Sequence, residues 1–236
     1  QHLSLYGRRG AKEAEEGRGP FPPGGRFDPV VKELLDERLK EEISPSVQST
    51  YGQFLPFLYY LDQEWVKEKL REGYLFPKDP FRKGFWEAHW QGYIGFCNKF
   101  YDRLYELLKE DYRLAIQGLD NPTETKAKRE SHYDERLAEH LMIAYWRNME
   151  KLENKEGLLN LFFDKASAQT RVHAVSFIGE ILKEIKEGDS EEWARLRRFW
   201  EFRVQNSRDE ELSGFASWYE HVDNFEPIDA LKDLIR

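Results

Sequence analysis

Cysteine occurs once, as Cys97, in a chain of 236 residues. No internal disulfide can form, and a cysteine-rich metal cage is excluded. The surrounding "GFCNKF" is apolar, so Cys97 reads as a small buried hydrophobe, and the low count fits a reducing, cytoplasmic setting. Long apolar runs are also missing. None approaches the roughly 20 residues of a membrane-spanning helix, so no membrane partner is expected. The N-terminus has neither the apolar core nor the small-residue cleavage site of a signal peptide. Basic charge is short: 36 Lys and Arg stand against 44 Asp and Glu, for a formal charge of −8 and a pI near 5.4. Nucleic acid is thereby disfavoured as a partner, since a duplex-binding face would have to cluster cations against that background. Few segments alternate with period two, which argues against strands. The chain opens on Gln1 rather than Met and ends within "IDALKDLIR", which reads as helix; a piece of a longer polypeptide is the expectation.

What is present is helical. With 40% hydrophobic and 34% charged residues, the chain has enough apolar material for one domain or a short array. "GRRGAKEAEEGRGPFPPGGRFDP", Gly7 to Pro29, reads as a linker or long loop, so residues 1–29 are set apart from a helical repeat domain over 30–236. Asp28 with Pro29, and Ser44 with Pro45, have the form of helix starts, and Asp189 with Glu192 that of a capping pair. Breaks fall at "YLFPKDPF", "LDNPTETK", "ENKEG" and "KEGDS", leaving about ten helices of ordinary length. In "TRVHAVSFIGEILKEIK", Ala174, Phe177, Ile178, Ile181, Leu182 and Ile185 recur at three- and four-residue steps and form one apolar stripe. Short helices on short loops predict an all-α fold of antiparallel helix pairs, stacked as an irregular HEAT/TPR-like superhelix. "FWEAHW" and "FWEFRV" share only a tripeptide, and no fixed repeat period is visible.

The stretch "ESHYDERLAEHLMIAYWR", Glu130 to Arg147, concentrates two histidines and four carboxylates. His132, Arg136 and His140 lie on one helical line, where the arginine repels a cation. His132, Glu135 and Glu139 form a second line that would need ligands from another helix. None of the six histidines has Glu three residues before it or one after it, so both common helical metal motifs are absent. Leu137, Leu141, Ala144 and Tyr145 form the buried stripe, and the polar residues read as a solvated face. Neither Cys97 nor any serine has a nucleophile context, and no Gly-x-Ser-x-Gly is present. In "GPFPPGGR", Gly19 and Gly24 have P-loop spacing, but Gly25 and Arg26 replace Lys and Ser/Thr, and Pro20, Pro22 and Pro23 remove phosphate-cradling amides.

Seven tryptophans, Trp65, Trp86, Trp90, Trp146, Trp193, Trp200 and Trp218, could line a sugar cleft with an acid–base carboxylate pair; filling gaps between helices is the preferred reading. Arg195, Arg197, Arg198 and Arg203 in "RLRRFWEFR" could grip an anion, but "DSEEW" and "RDEEL" supply local carboxylates, so pairing within the chain is preferred. Lys126, Lys128 and Arg129 of "KAKRE" read as a solvated loop. The residues thus predict no catalytic, cofactor-binding or metal site, and no cofactor.

Six stretches, in order, carry a resemblance: "SVQSTYGQFLPFLYYLDQEWV", "LFPKDPFRKGFWEAHW", "YELLKEDYRLAI", "LAEHLMIAYW", "GLLNLFFDKASAQTRVHAVSFIGEIL" and "FWEFRVQNSRDEELSGFASWY". Over residues 45–236 the chain resembles the C-terminal helical-repeat region of bacterial antiviral STAND NTPases and of related SIR2-linked anti-phage proteins. The resemblance implies a recognition module of a larger defence protein, whose superhelix binds a phage protein such as a terminase or portal. The NTPase and effector regions of that family are missing, so the resemblance transfers no catalytic residue, and its motifs are structural, so it transfers no contact residue. The acidic balance would favour a basic partner. Two rivals remain: a scaffold that packs only against the rest of its own polypeptide, and a helical-toroid enzyme acting on a glycan.

Overall fold

A computed structural model describes residues 27–97, 99–120, 128–182, 190–206 and 209–224. Among these residues every regular element is helical, so the all-α expectation holds, and no helix is long and apolar enough to cross a membrane. The α-helices are α1 (Pro29–Glu41), α2 (Pro45–Gln53), α3 (Leu55–Leu61), α4 (Gln63–Arg71), α5 (Lys83–Phe96), α6 (Asp102–Leu107), α7 (Lys109–Gln117), α8 (Lys128–Trp146), α9 (Leu158–Lys165), α10 (Ala168–Leu182), α11 (Ser190–Asn206) and α12 (Asp209–Leu212). A 3-10 helix over Ser213–Asn224 ends the described chain. The region expected as one domain from residue 30 divides into two compact units, Gln1–Leu104 and Tyr105–Arg236.

In the first unit the helix starts follow the sequence signals unevenly. Asp28 Oδ1 accepts from the Val30 amide at 2.9 Å while Pro29 occupies the first turn, where its missing N–H costs nothing. Ser44 stands at the corresponding position of α2 but makes no side-chain cap bond; its own amide donates to Glu42 Oε1 at 2.9 Å. The folded unit also begins earlier than the linker boundary predicts. Phe27 is buried and meets the Trp65 ring edge to face at 5.6 Å, so this residue of the assigned linker belongs to the core.

Helices α2 and α5 pack backbone to backbone. A Cβ on Gly52 would lie 1.9 Å from the His89 carbonyl oxygen, and one on Gly92 would lie 2.0 Å from that of Ser49. Only glycine at both positions lets the axes come this close. Around the crossing, Tyr93, Ile94, Leu55, Val66 and Phe76 are buried. Polar groups tie α1 to α4: Asp36 Oδ1 accepts from Trp65 Nε1 at 2.9 Å and pairs with Lys69 at 3.2 Å, and Lys32 reaches Asp62 at 3.0 Å.

The second unit uses the same device. Gly179 of α10 leaves room for Ser217, whose Cβ would be 2.7 Å from an added Cβ, and Gly214 fits against Val172 and Val175. The final 3-10 helix therefore lies directly on α10. Trp218 is fully buried there, donating Nε1–H to the Val175 carbonyl at 2.8 Å and stacking on Phe199 at 6.2 Å. Glu211 of α12 accepts from Arg203 through both oxygens, at 2.6 and 2.7 Å, with Arg171 Nε at 3.3 Å. The predicted stripe of α8 (Leu137, Leu141, Ala144, Tyr145) is buried, as are Ala174 and Ile178 of α10, but Phe177 is only half-buried. The side chains of Ile181 and Leu182, and Ile185 and Asp189 entirely, lie outside the described residues.

Candidate functional site

The sequence of α1, "PVVKELLDERLKE", carries more apolar residues than one buried stripe needs, and α3, "LPFLYYL", is apolar all round. Both conditions leave apolar surface over once the core is filled. In the first unit that surplus forms a hollow of about 380 Å³ between α1, α2 and α3. Val31, Leu34, Val47, Tyr51, Phe54 and Phe57 are among its walls, with Arg38 and Thr50 as the polar groups besides the Tyr51 hydroxyl. Its rim stays open to solvent: Leu34 and Val47 are exposed, and Val30 and Ile43 nearby in sequence are 73% and 82% exposed.

Phe54 and Phe57 also line a second hollow, of about 440 Å³, together with Tyr60, Phe96, Tyr101 and Lys99. Tyr60, Phe96 and Tyr101 are all exposed. Burial holds two ionisable groups of these hollows in their neutral forms. Burial pushes the Tyr51 hydroxyl up to about 12, with Glu42 adding to the effect and Arg38 opposing it; the hydroxyl donates to the Leu35 carbonyl at 3.3 Å. Burial likewise raises the Cys97 thiol to about 11, against a bond it donates to the Lys99 carbonyl at 3.1 Å. Both groups stay protonated and neutral near pH 7, so neither is a ready base or nucleophile. The hollows are suited to receive apolar and aromatic groups.

No family model matches the chain, and no curated protein or solved structure matches it either.

The residues singled out in the sequence separate in space. On α8, His132 is exposed but His140 is buried, and the Tyr112 hydroxyl meets His140 Nδ1 at 2.6 Å. The reading of that whole polar line as solvated is therefore wrong at His140, because Tyr112 of α7 offers the ring a partner inside the core. Glu139 is also drawn in. It accepts from Arg136 at 2.7 Å and meets His173 Nε2 of α10 at 3.1 Å. Burial acts to raise the Glu139 carboxyl, but the His173 and Arg136 hydrogen bonds outweigh it and hold the group below the usual range. Glu139 is thus an inter-helix tie, and Glu135 is half-buried. Among the described residues no three His, Cys, Asp or Glu side chains gather where they could hold a metal ion.

The tryptophans serve mainly as core. Trp65, Trp90, Trp200 and Trp218 are buried, and Trp86, Trp146 and Trp193 half-buried, with Trp86 stacked on Trp90 at 6.0 Å. The arginines of α11 disperse. Arg203 is held by Glu211 of "RDEEL", Arg197 pairs with Glu201 at 3.1 Å, and Arg195 donates to the Trp146 carbonyl, while Arg198 is exposed. Lys128 and Arg129 open α8 instead of sitting in a loop; Lys126 and the glycines and prolines of the P-loop lookalike, Gly19 to Arg26, lie outside the described residues. The groove residues were not singled out by sequence reasoning. The available signal was the all-round apolarity of α3, which has no polar face to give to water.

Proposed function

We propose that this chain is a non-catalytic protein-recognition module, working in the cytoplasm as part of a larger bacterial anti-phage protein and binding a phage protein such as a terminase or portal. The observation that carries a recognition role is the open apolar groove between α1, α2 and α3, with Leu34 and Val47 exposed on its walls. Contiguous apolar surface left open on a folded unit marks an interaction site. The phage partner rests on the resemblance of residues 45–236 to the helical-repeat region of antiviral STAND proteins, in which such a superhelix does the recognising. In this reading the helix pairs extend into an irregular HEAT/TPR-like stack, whose curved face matches a folded partner.

The same groove supports a second reading, an internal scaffold covered by other parts of a parent polypeptide, because that covering would also bury Leu34 and Val47. A glycan-cleaving toroid has less support. Its chemistry needs two carboxylates roughly 5 to 10 Å apart at the floor of an aromatic cleft, whereas the described residues lining the aromatic hollow here include neither Asp nor Glu.

A pull-down with the purified chain from phage-infected lysate, read by mass spectrometry, separates these readings. Enrichment of one phage structural or packaging protein that survives moderate salt supports the recognition module. Retention of nothing, or only of domains of a parent protein, by a chain that circular dichroism reports as helical removes it.

A further inference from the structure

The open groove of the first unit has charge along one wall only. Val30 and Leu34 are exposed one turn apart on α1, and Ile43 and Val47 are exposed where the chain enters α2. Beside the α1 pair runs a line of glutamates. Glu33, Glu37 and Glu41 are all exposed, at successive four-residue steps, and the last two stand three and seven residues beyond Leu34 on its side of the helix. None of the three side chains pairs with a cation among the described residues. The neighbouring lysines are turned elsewhere: Lys32 reaches Asp62 at 3.0 Å, and Lys40 lies over the Tyr74 ring at 5.5 Å. Like charges one turn apart repel, so the line weakens α1 until cations meet it. The facing helices α2 and α3, "PSVQSTYGQ" and "LPFLYYL", bring no charged side chain. Arg38 is the charged residue of the lining itself.

We propose that the groove takes an amphipathic helix of a partner protein, apolar on one face and lined with Lys or Arg along one flank. The proposal rests on the recognition reading above and names the chemistry of the occupant. The spacing points to a helix. Residues four apart on α1 repeat about every 6 Å at 1.5 Å per residue, and cations at i and i+4 on a second helix repeat with the same step. Apolar residues on the adjoining stripe then enter the hollow between Leu34 and Val47. Arg38 sets the side: the partner's cations belong over the glutamates, and a cation directed into the hollow is repelled. Charge also excludes the rival occupants. A second copy of the chain would lay a second glutamate line against the first, and an anionic bilayer or nucleic acid meets the same repulsion, reinforced by the net charge of −8. A neutral apolar segment would use the hollow but not the line, and it is an outcome of the test.

The test titrates the intact chain into fluorescein-labelled model peptides and reads anisotropy. The probes are a leucine–lysine peptide of helical period and its leucine–glutamine and leucine–glutamate counterparts. The expected result is saturable binding of the lysine peptide, at least about tenfold tighter than of the other two and weakened by salt. The triple variant Glu33→Gln, Glu37→Gln, Glu41→Gln should lose about tenfold for the lysine peptide, while Leu34→Asn weakens every peptide that binds. A control triple in the second unit, Glu153→Gln, Glu156→Gln, Glu191→Gln, removes the same charge from exposed positions and should leave the affinity unchanged. Circular dichroism checks that each variant keeps its helices. An equal loss in the control triple overturns the proposal, because attraction to the whole acidic chain then explains the binding. Equal binding of the lysine and glutamine peptides, lost in Leu34→Asn, overturns the basic flank and leaves the groove standing as a recognition surface. Binding of no peptide overturns the helix as occupant. If the pull-down from infected lysate still retains a phage protein, the recognition reading survives that result; if it retains none, both fall.

Discussion

His89 is fully buried on α5, donating Nδ1–H to the Phe85 carbonyl at 2.8 Å and stacking on Phe76 at 5.4 Å. With Nδ1 as the donor, Nε2 carries the lone pair, and it has no hydrogen-bond partner among the described residues. Burial pushes the ring's pKa down to about 4 from 6.5; the Phe85 bond opposes the fall and Arg82 adds to it. A depressed value in the folded state means that the unfolded state takes up the proton first. The stability from keeping His89 neutral is therefore complete above about pH 6.5 and is lost as pH falls toward 4. Urea unfolding of the wild type and His89→Phe from pH 7 to 4 should move their stability difference by roughly 3 kcal/mol in favour of the variant, at about 1.4 kcal/mol per pKa unit. A pH-independent difference would contradict the burial argument. Glu211 makes the opposite kind of test, because its charge is needed. Glu211→Gln leaves the buried guanidinium groups of Arg203 and Arg171 without their counter-ion, and about 3 to 5 kcal/mol of denaturant stability should be lost.

At the scale of elements, the α2–α5 crossing depends on two hydrogen atoms. Gly52→Ala sets a methyl carbon 1.9 Å from a backbone oxygen that cannot swing away as a side chain could. The loss should be at least about 3 kcal/mol, the upper end of ordinary overpacking, read as a lowered melting temperature. Gly84, near the start of α5, has open space around it, and Gly84→Ala should raise stability by about 0.5 kcal/mol through helix propensity. Equal effects at the two positions would contradict the close approach. Neither role is visible in the sequence, where both glycines sit in helical patterns and only the facing helix tells them apart. What could be read in advance was local. Asp28 before Pro29 starts α1, and the stripe through Leu137, Leu141, Ala144 and Tyr145 marks the inner face of α8. What could not be read depended on neighbours distant in the chain. Tyr112 draws His140 inward, Phe27 joins the core through Trp65, and the "RDEEL" carboxylate that holds Arg203 also reaches Arg171.

For the whole molecule, helical class followed from periodicity, but the division into two units did not, because compactness is set by which helices meet and no period marks the change near Leu104. The candidate site was illegible for a related reason. A surplus apolar residue has the same letter as a core residue, and Leu34 differs from Leu39 only in what covers it: Leu39 is fully buried, while Leu34 is 37% exposed on the groove wall. That difference supplies the most direct measurement. Titration calorimetry of the purified chain, and of Leu34→Asp and Val47→Asp, against a phage protein recovered by the pull-down would test whether the groove is the recognition surface. The expected outcome is saturable binding by the wild type and a loss of about 1.4 kcal/mol or more, tenfold in affinity, in each variant whose helical circular dichroism is unchanged. Binding that is the same for all three proteins would contradict a recognition role for the groove, and no binding by the wild type would contradict the recognition module itself.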